Sequence, residues 1–169
     1  MAKKRDRLEL ALLMAVEMKN AIAEPNADCI TSIEEYCGAK LPEDFKSFLS
    51  YGNGGIPHKQ SFKAEGGDRT IERFLPLMDD PESDPANGQY EISVVETQIG
   101  ERLASDPDQV GCNILPFAAL FAGDFLCFDF RNDSNHPEIV IWDHNASEEF
   151  APVTILVASS FSELLEKLH

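Results

Sequence analysis

The N-terminal half of the chain is patterned for helices. Leu8, Leu12, Ala15 and Lys19 recur at helical spacing, and Leu13, Met14 and Val16 widen the stripe. This predicts an amphipathic helix over residues 4–23, broken by Glu24-Pro25-Asn26. Asp28 is placed to cap a short second helix carrying Ile30, Ile33 and Cys37 at i, i+3 and i+7, and Gly38 offers the left-handed residue that ends it. A third helix opens at Pro42, whose missing N–H costs nothing there, with Glu43 and Asp44 in the dipole-favoured first turn. Leu41, Phe45, Phe48 and Leu49 form its apolar stripe; the helix fails at Gly52, before Asn53-Gly54-Gly55.

The pattern then shortens. Two strands are expected around Gly66-Gly67, near Ser61-Phe62-Lys63 and Phe74-Leu75-Pro76-Leu77. Asp79 to Gly88, with Pro81 and Pro85, reads as a loop. Ile92, Val95, Ile99 and Leu103 place a helix within Tyr90 to Ala104 that Asp106-Pro107-Asp108 ends. Strands follow at Ile114 to Phe117, Phe125 to Phe130, Ile139 to Trp142 and Thr154 to Ala158, with a turn at Gly123-Asp124. The second of these is apolar on both sides, which requires cover on both faces or a central place in the sheet. Ser160 and Glu163 are spaced as a capping box for a last helix that points Phe161, Leu164, Leu165 and Leu168 inward. The order gives an α+β fold: one domain with N-terminal helices, a central, mainly antiparallel sheet and a C-terminal helix. The expected division is an N-terminal helix over 1–27 packed on a domain over 28–169.

A chain of 169 residues suffices for one core without disulfides or metals. Charge changes the picture more. Thirty acids face fourteen bases, for a net charge of −16. Nine of the acids fall between Asp79 and Asp108, where Arg102 is the only base, leaving −8 in that stretch. Such a field repels nucleic acid and anionic membranes and attracts basic partners. Cys29, Cys37, Cys112 and Cys127 form no CxxC pair and read as free buried thiols of a reducing compartment. The short apolar core at Leu10 to Val16 is bracketed by Glu9 and Glu17, which fits an amphipathic helix and not a signal peptide. A cytoplasmic protein is expected.

Candidate chemistry is sparse. Asn53-Gly54-Gly55 follows a helix, so it faces the negative helix end and cannot serve as a phosphate loop. His58, His136, His144 and His169 have no close ligand spacing, and neither a metal nor a cofactor is expected. Asp143-His144 at a strand end points to opposite faces and suits a loop start better than a dyad. Cys127 sits between Leu126 and Phe128, and no GxSxG motif is present. Asp129 is the lone charge in Phe125 to Phe130; it either pairs structurally, with Arg131 or a turn, or touches a ligand. An enzyme reading would rest on Asp129, Asp143 and His144.

The series Ile30, Ile33-Glu34, Cys37-Gly38, Leu41-Pro42, Asp44-Phe45-Lys46, Phe48-Leu49 and Asn53-Gly54-Gly55 resembles the opening signature of the SUKH superfamily, in its Smi/Knr branch. Ile114-Leu115-Pro116-Phe117, Gly123 to Asp129, Ile139 to His144 and Phe161 to Leu165 resemble its sheet and final helix. Cys37 stands where the family usually has Leu, Ile33 where it has an aromatic, and 79–109 has no counterpart in the pattern. The resemblance implies a domain without a shared catalytic residue. It implies either an immunity protein that neutralises a toxin, often a nuclease or deaminase, or a regulatory interaction module like the yeast members. The expected partner is a protein toxin with a basic active-site surface, and oligomeric state is left open. The expected contact surface is Asn53, Gly54 and Gly55 with Asp79, Asp80, Glu82 and Asp84, and Asp129 as a further contact.

Overall fold

The computed structural model describes residues 16–169. Two helices come first, α1 (Ala27–Cys37) and α2 (Glu43–Gly52). A two-stranded ribbon joins β1 (Met18–Lys19) to β2 (Ile56–Pro57). A six-stranded antiparallel sheet follows in the order β3 (Ser61–Ala64), β4 (Gly67–Phe74), β5 (Ile114–Leu120), β6 (Phe125–Asp129), β7 (Glu138–Trp142) and β8 (Thr154–Ala158). Helix α3 (Ile92–Leu103) is inserted between β4 and β5, and α4 (Phe161–Lys167) closes the chain. The sheet runs in sequence order, so every pairing is between successive strands.

Period-two alternation sorts the sheet into two faces. Leu126, Phe128, Ile139 and Ile141 face the main core with Phe45, Phe48 and Phe161, while Cys127, Val140 and Trp142 face a second cluster with Ile114 and Leu103. The doubly apolar strand expected at 125–130 is therefore covered on both sides. Phe161 lies at the centre of the main core, with ring centroids 5.1 Å from Phe45 and 5.1 Å from Phe48. Helix α3 serves both faces: Ile92 and Val95 belong to the main core and Leu103 to the second cluster.

Several local expectations are corrected. The helix proposed over 4–23 lies partly outside the described residues, and its described part, 16–23, is not helical. Met18 and Lys19 pair with Pro57 and Ile56, Ile22 N–H donates to Asn53 O at 2.8 Å, and His58 N–H donates to Glu17 O at 2.8 Å. These tertiary hydrogen bonds outweigh a modest helical preference. Asn26, not Asp28, caps α1: the helix starts at Ala27, so Asp28 already lies in its first turn, and the Asn26 side-chain oxygen accepts from Cys29 N–H at 2.8 Å. Strand β4 begins earlier than expected and ends at Phe74, since Pro76 has no N–H for a ladder. The loop 79–88 contains a 3-10 turn, Pro81–Ser83, and a single helical turn, Pro85–Gly88. The box before α4 is shifted: Ser160 Oγ accepts from Glu163 N–H, but Glu163 Oε2 reaches Ser159 N–H at 2.8 Å.

Candidate functional site

Asn53, Gly54 and Gly55, expected on the contact surface, are buried. Asn53 Nδ2 donates to Ala23 O at 2.9 Å and Leu77 O at 3.0 Å, and its Oδ1 accepts from Leu77 N–H at 2.9 Å. The side chain thus ties residue Ala23 and the end of α2 to the segment that follows β4 and leads into the acidic loop. Gly54 has φ +67°, and a Cβ there would meet Pro76 Cβ at 2.8 Å. This turn shapes the surface from beneath and offers no side chain to a partner.

The acidic loop is exposed, and much of it is occupied locally. Asp80 Oδ1 accepts from Glu82 N–H at 3.1 Å, and Asp84 Oδ2 from Asn87 Nδ2 at 2.6 Å. Glu82 is exposed and Asp84 half-buried. Asp79 is exposed and contacts the Asn26 amide across the start of α1. Arg73 fastens the loop to the turn below it, donating to Gly54 O at 2.8 Å and Asn87 Oδ1 at 2.9 Å with its guanidinium 4.5 Å from the Tyr90 ring centroid.

Asp79 stands at the end of a groove of about 660 Å³ between α1 and α3. Cys29, Ile33 and Leu77 supply apolar lining, and Tyr36, Val94 and Met78 continue it outward. Two contacts across the helices frame it: Asn26 to Asp79 at one end, and Tyr36 Oη donating to Glu96 Oε2 at 2.8 Å at the other. Asn26 and Tyr36 are ten positions apart on α1, so the groove runs about 15 Å. Glu91 lines the wall, 2% exposed, and caps α3 by accepting from Ser93 N–H at 2.7 Å and Val94 N–H at 3.1 Å. Among the described residues no lysine, arginine or histidine lines the groove.

This concentration of carboxylates shifts its neighbours. Burial pushes the Glu91 carboxyl above the usual range, only partly offset by its backbone hydrogen bonds. Burial, then Asp79 and Glu91, raise the Cys29 thiol to about 12, so the groove holds a thiol and not a nucleophilic thiolate. Burial and Glu96 likewise push the Tyr36 hydroxyl upward. The groove presents apolar surface bordered by three acids that have no ion-pair partner among the described residues, which suits a cationic, partly apolar guest.

The other candidates do not converge. Asp129 and His144 lie toward opposite ends of the β6–β7 ladder, where Asp129 pairs with Glu138 and Phe125 with Trp142. Four strand positions put those ends about 14 Å apart. Asp129 is 5% exposed and forms a two-pronged pair with Arg131, at 2.9 and 2.6 Å. Asp143 Oδ1 accepts from Asn145 and Ala146 N–H, the expected loop start, while His144 Nδ1 lies 2.7 Å from Asp124 Oδ1. All four cysteines are free and buried. Among the described residues no three His, Cys, Asp or Glu side chains are arranged to hold a metal, and no helix is long and apolar enough to cross a membrane.

The profile of the SMI1 / KNR4 family (SUKH-1) matches residues 24–167. The chain belongs to this family. It is also similar to the SPbeta prophage-derived uncharacterized protein YokK of Bacillus subtilis (strain 168), 26% identical over 146 residues, which cover 82% of this chain and 72% of that one.

Within this family member, the groove residues Tyr36, Glu91, Val94 and Glu96 were not singled out by sequence reasoning. One signal was available. Ile92, Glu96, Ile99 and Leu103 occupy i, i+4, i+7 and i+11 of α3, so Glu96 lies inside the apolar stripe. A carboxylate in that position marks a helix whose inner face opens onto something other than core.

Proposed function

We propose that this SMI1/KNR4 family protein is a non-catalytic immunity protein that binds and neutralises a toxin, with a nuclease or deaminase bearing a basic active-site surface as the target class. The observation that carries the reading is the α1–α3 groove: apolar, bordered by Asp79, Glu91 and Glu96, and without a basic lining residue among the described residues. A toxin that grips phosphates presents the complementary charge. The net charge of −16 adds long-range attraction for such a surface. Family membership and the likeness to a prophage-derived protein support the same reading. Asp79, Asp80, Glu82 and Asp84 form the acidic margin of the contact, in a protein that works in the cytoplasm.

The test is co-expression with the products of neighbouring genes. A toxic neighbour should be silenced by this protein and co-purify with it as a stoichiometric complex. Its dissociation constant should lie near nanomolar and weaken as salt is raised. Several weak partners and no toxic neighbour would instead assign a regulatory interaction module.

A further inference from the structure

We infer that the α1–α3 groove is the docking site for a short segment of a partner protein in which aliphatic side chains alternate with arginine or lysine. The inference rests on the toxin-binding reading for the existence of a protein partner, and adds which surface engages it and by what chemistry.

Three features define the guest. The first is the apolar lining. Cys29 and Ile33 from α1 meet Leu77 beneath, so the groove rewards aliphatic side chains. The second is charge. Asp79, Glu91 and Glu96 border one groove, and none of them has an ion-pair partner among the described residues. Elsewhere this protein pairs its buried carboxylates: Glu34 holds Lys40 at 2.8 Å, and Asp129 holds Arg131 at 2.6 Å. In the groove no described cation answers them: Glu91 caps α3 and Glu96 holds Tyr36, and the exposed Asp79 is open to a cation from outside. The third is Tyr36, 56% exposed at the mouth, whose ring face can take a guanidinium while its hydroxyl stays on Glu96. A groove of about 15 Å takes four or five extended residues, enough for two aliphatic and two or three cationic side chains. The other exposed large hydrophobic residues among those described, Tyr90, Val110, Phe121, Val153 and Leu156, do not line this groove.

The probe is an acetylated, amidated hexapeptide of alternating arginine and leucine, titrated into the full chain labelled with nitrogen-15. Two controls replace leucine by glycine or arginine by glutamate. The arginine–leucine peptide should shift amides of Ile30 to Tyr36 and Ser93 to Gln98 above all others and bind at least tenfold more tightly than either control. Ser32→Lys with Thr97→Lys, two exposed positions on facing walls, should weaken it tenfold or more. Ser134→Lys with Asn145→Lys, also exposed and outside the groove, should leave it unchanged. Spectra of the free variants confirm that both fold. Absence of binding, equal binding of a control peptide, or shifts spread over the remaining acidic surface would overturn the proposal. A toxin captured equally by the Ser32→Lys/Thr97→Lys protein would sink the groove and spare the immunity reading. Peptide binding in the groove, without any toxin neutralised, would do the reverse.

Discussion

Arg102 and Trp142 hold each other twice. The Arg102 guanidinium lies 5.0 Å from the Trp142 ring centroid, and the indole Nε1–H donates to the Arg102 carbonyl at 3.1 Å. The same guanidinium donates to Ser147 O at 2.7 Å and also to His144 O. The last turn of α3 is thereby fastened to β7 and the loop that follows it, which fixes the helix forming one wall of the groove.

Trp142 is the chain's single tryptophan, and it reports on this contact directly. Arg102→Ala removes the stacked cation and two donors to carbonyls. It should cost about 2 kcal/mol and move the indole emission to longer wavelength as the ring gains water. Urea unfolding followed by fluorescence measures both. An unchanged midpoint and spectrum would show that the pair does not anchor α3.

Asn53 makes three hydrogen bonds from a fully buried side chain. Asn53→Ala strands the N–H and C=O of Leu77 and should cost about 3 kcal/mol or more. Asn53→Asp should be at least as damaging, because a carboxylate can only repel the carbonyls of Ala23 and Leu77. Chemical denaturation of both variants decides this; a milder Asp variant would mean that the donor side of the amide is dispensable.

Glu34 and Glu91 should give opposite pH dependences. Burial raises the Glu34 carboxyl, but Lys40, the Leu41 N–H and Lys46 outweigh it and hold the group below its ordinary 4.5. Its stabilisation is present above 4.5 and is lost as pH falls through the lower folded value. Glu91 is raised above 4.5, so it binds a proton more readily in the folded state, and its contribution is lost as pH rises through that window. Glu34→Gln should therefore flatten the acid limb of a stability profile, and Glu91→Gln the rise in proton-linked destabilisation above it. Melting temperatures across pH 3 to about 7 test both signs.

Arg131→Ala leaves Asp129 buried without its guanidinium and should destabilise by about 2 kcal/mol. Asp129→Asn should cost less, because its Oδ1 can still accept from the Arg131 backbone N–H, now at 3.0 Å. Equal losses would show that the charge itself, and not the hydrogen bond, holds this strand end.

The legible parts of the sequence were those written in local periodicity. The stripe Leu41, Phe45, Phe48 and Leu49 gave α2, and Gly38, with φ 70°, ended α1 as its position required. Strands β6 to β8 followed from their apolar runs. The helix expectation failed over residues 16–23 because hydrogen bonds there go to partners more than thirty residues away, such as Ile22 to Asn53, and no local pattern records them. Of the candidate site, the acidic margin was visible in composition. The burial of Asn53-Gly54-Gly55 was not, since a polar side chain consumed by three internal bonds looks the same in sequence as one facing solvent.

The sequence alone determined the α+β class, the family signature and the excess of negative charge, because each rests on residue type and short-range spacing. Only the tertiary structure decided which of those charges gather beside an apolar groove. Cys29 and Ile33 on α1, Leu77 after β4, and Glu91 and Glu96 at the start of α3 are separated by up to 67 positions, and they meet because both helices pack on one sheet. A groove is a relation between elements, set by which faces the core buries, and it exists only once the chain has closed around Phe161.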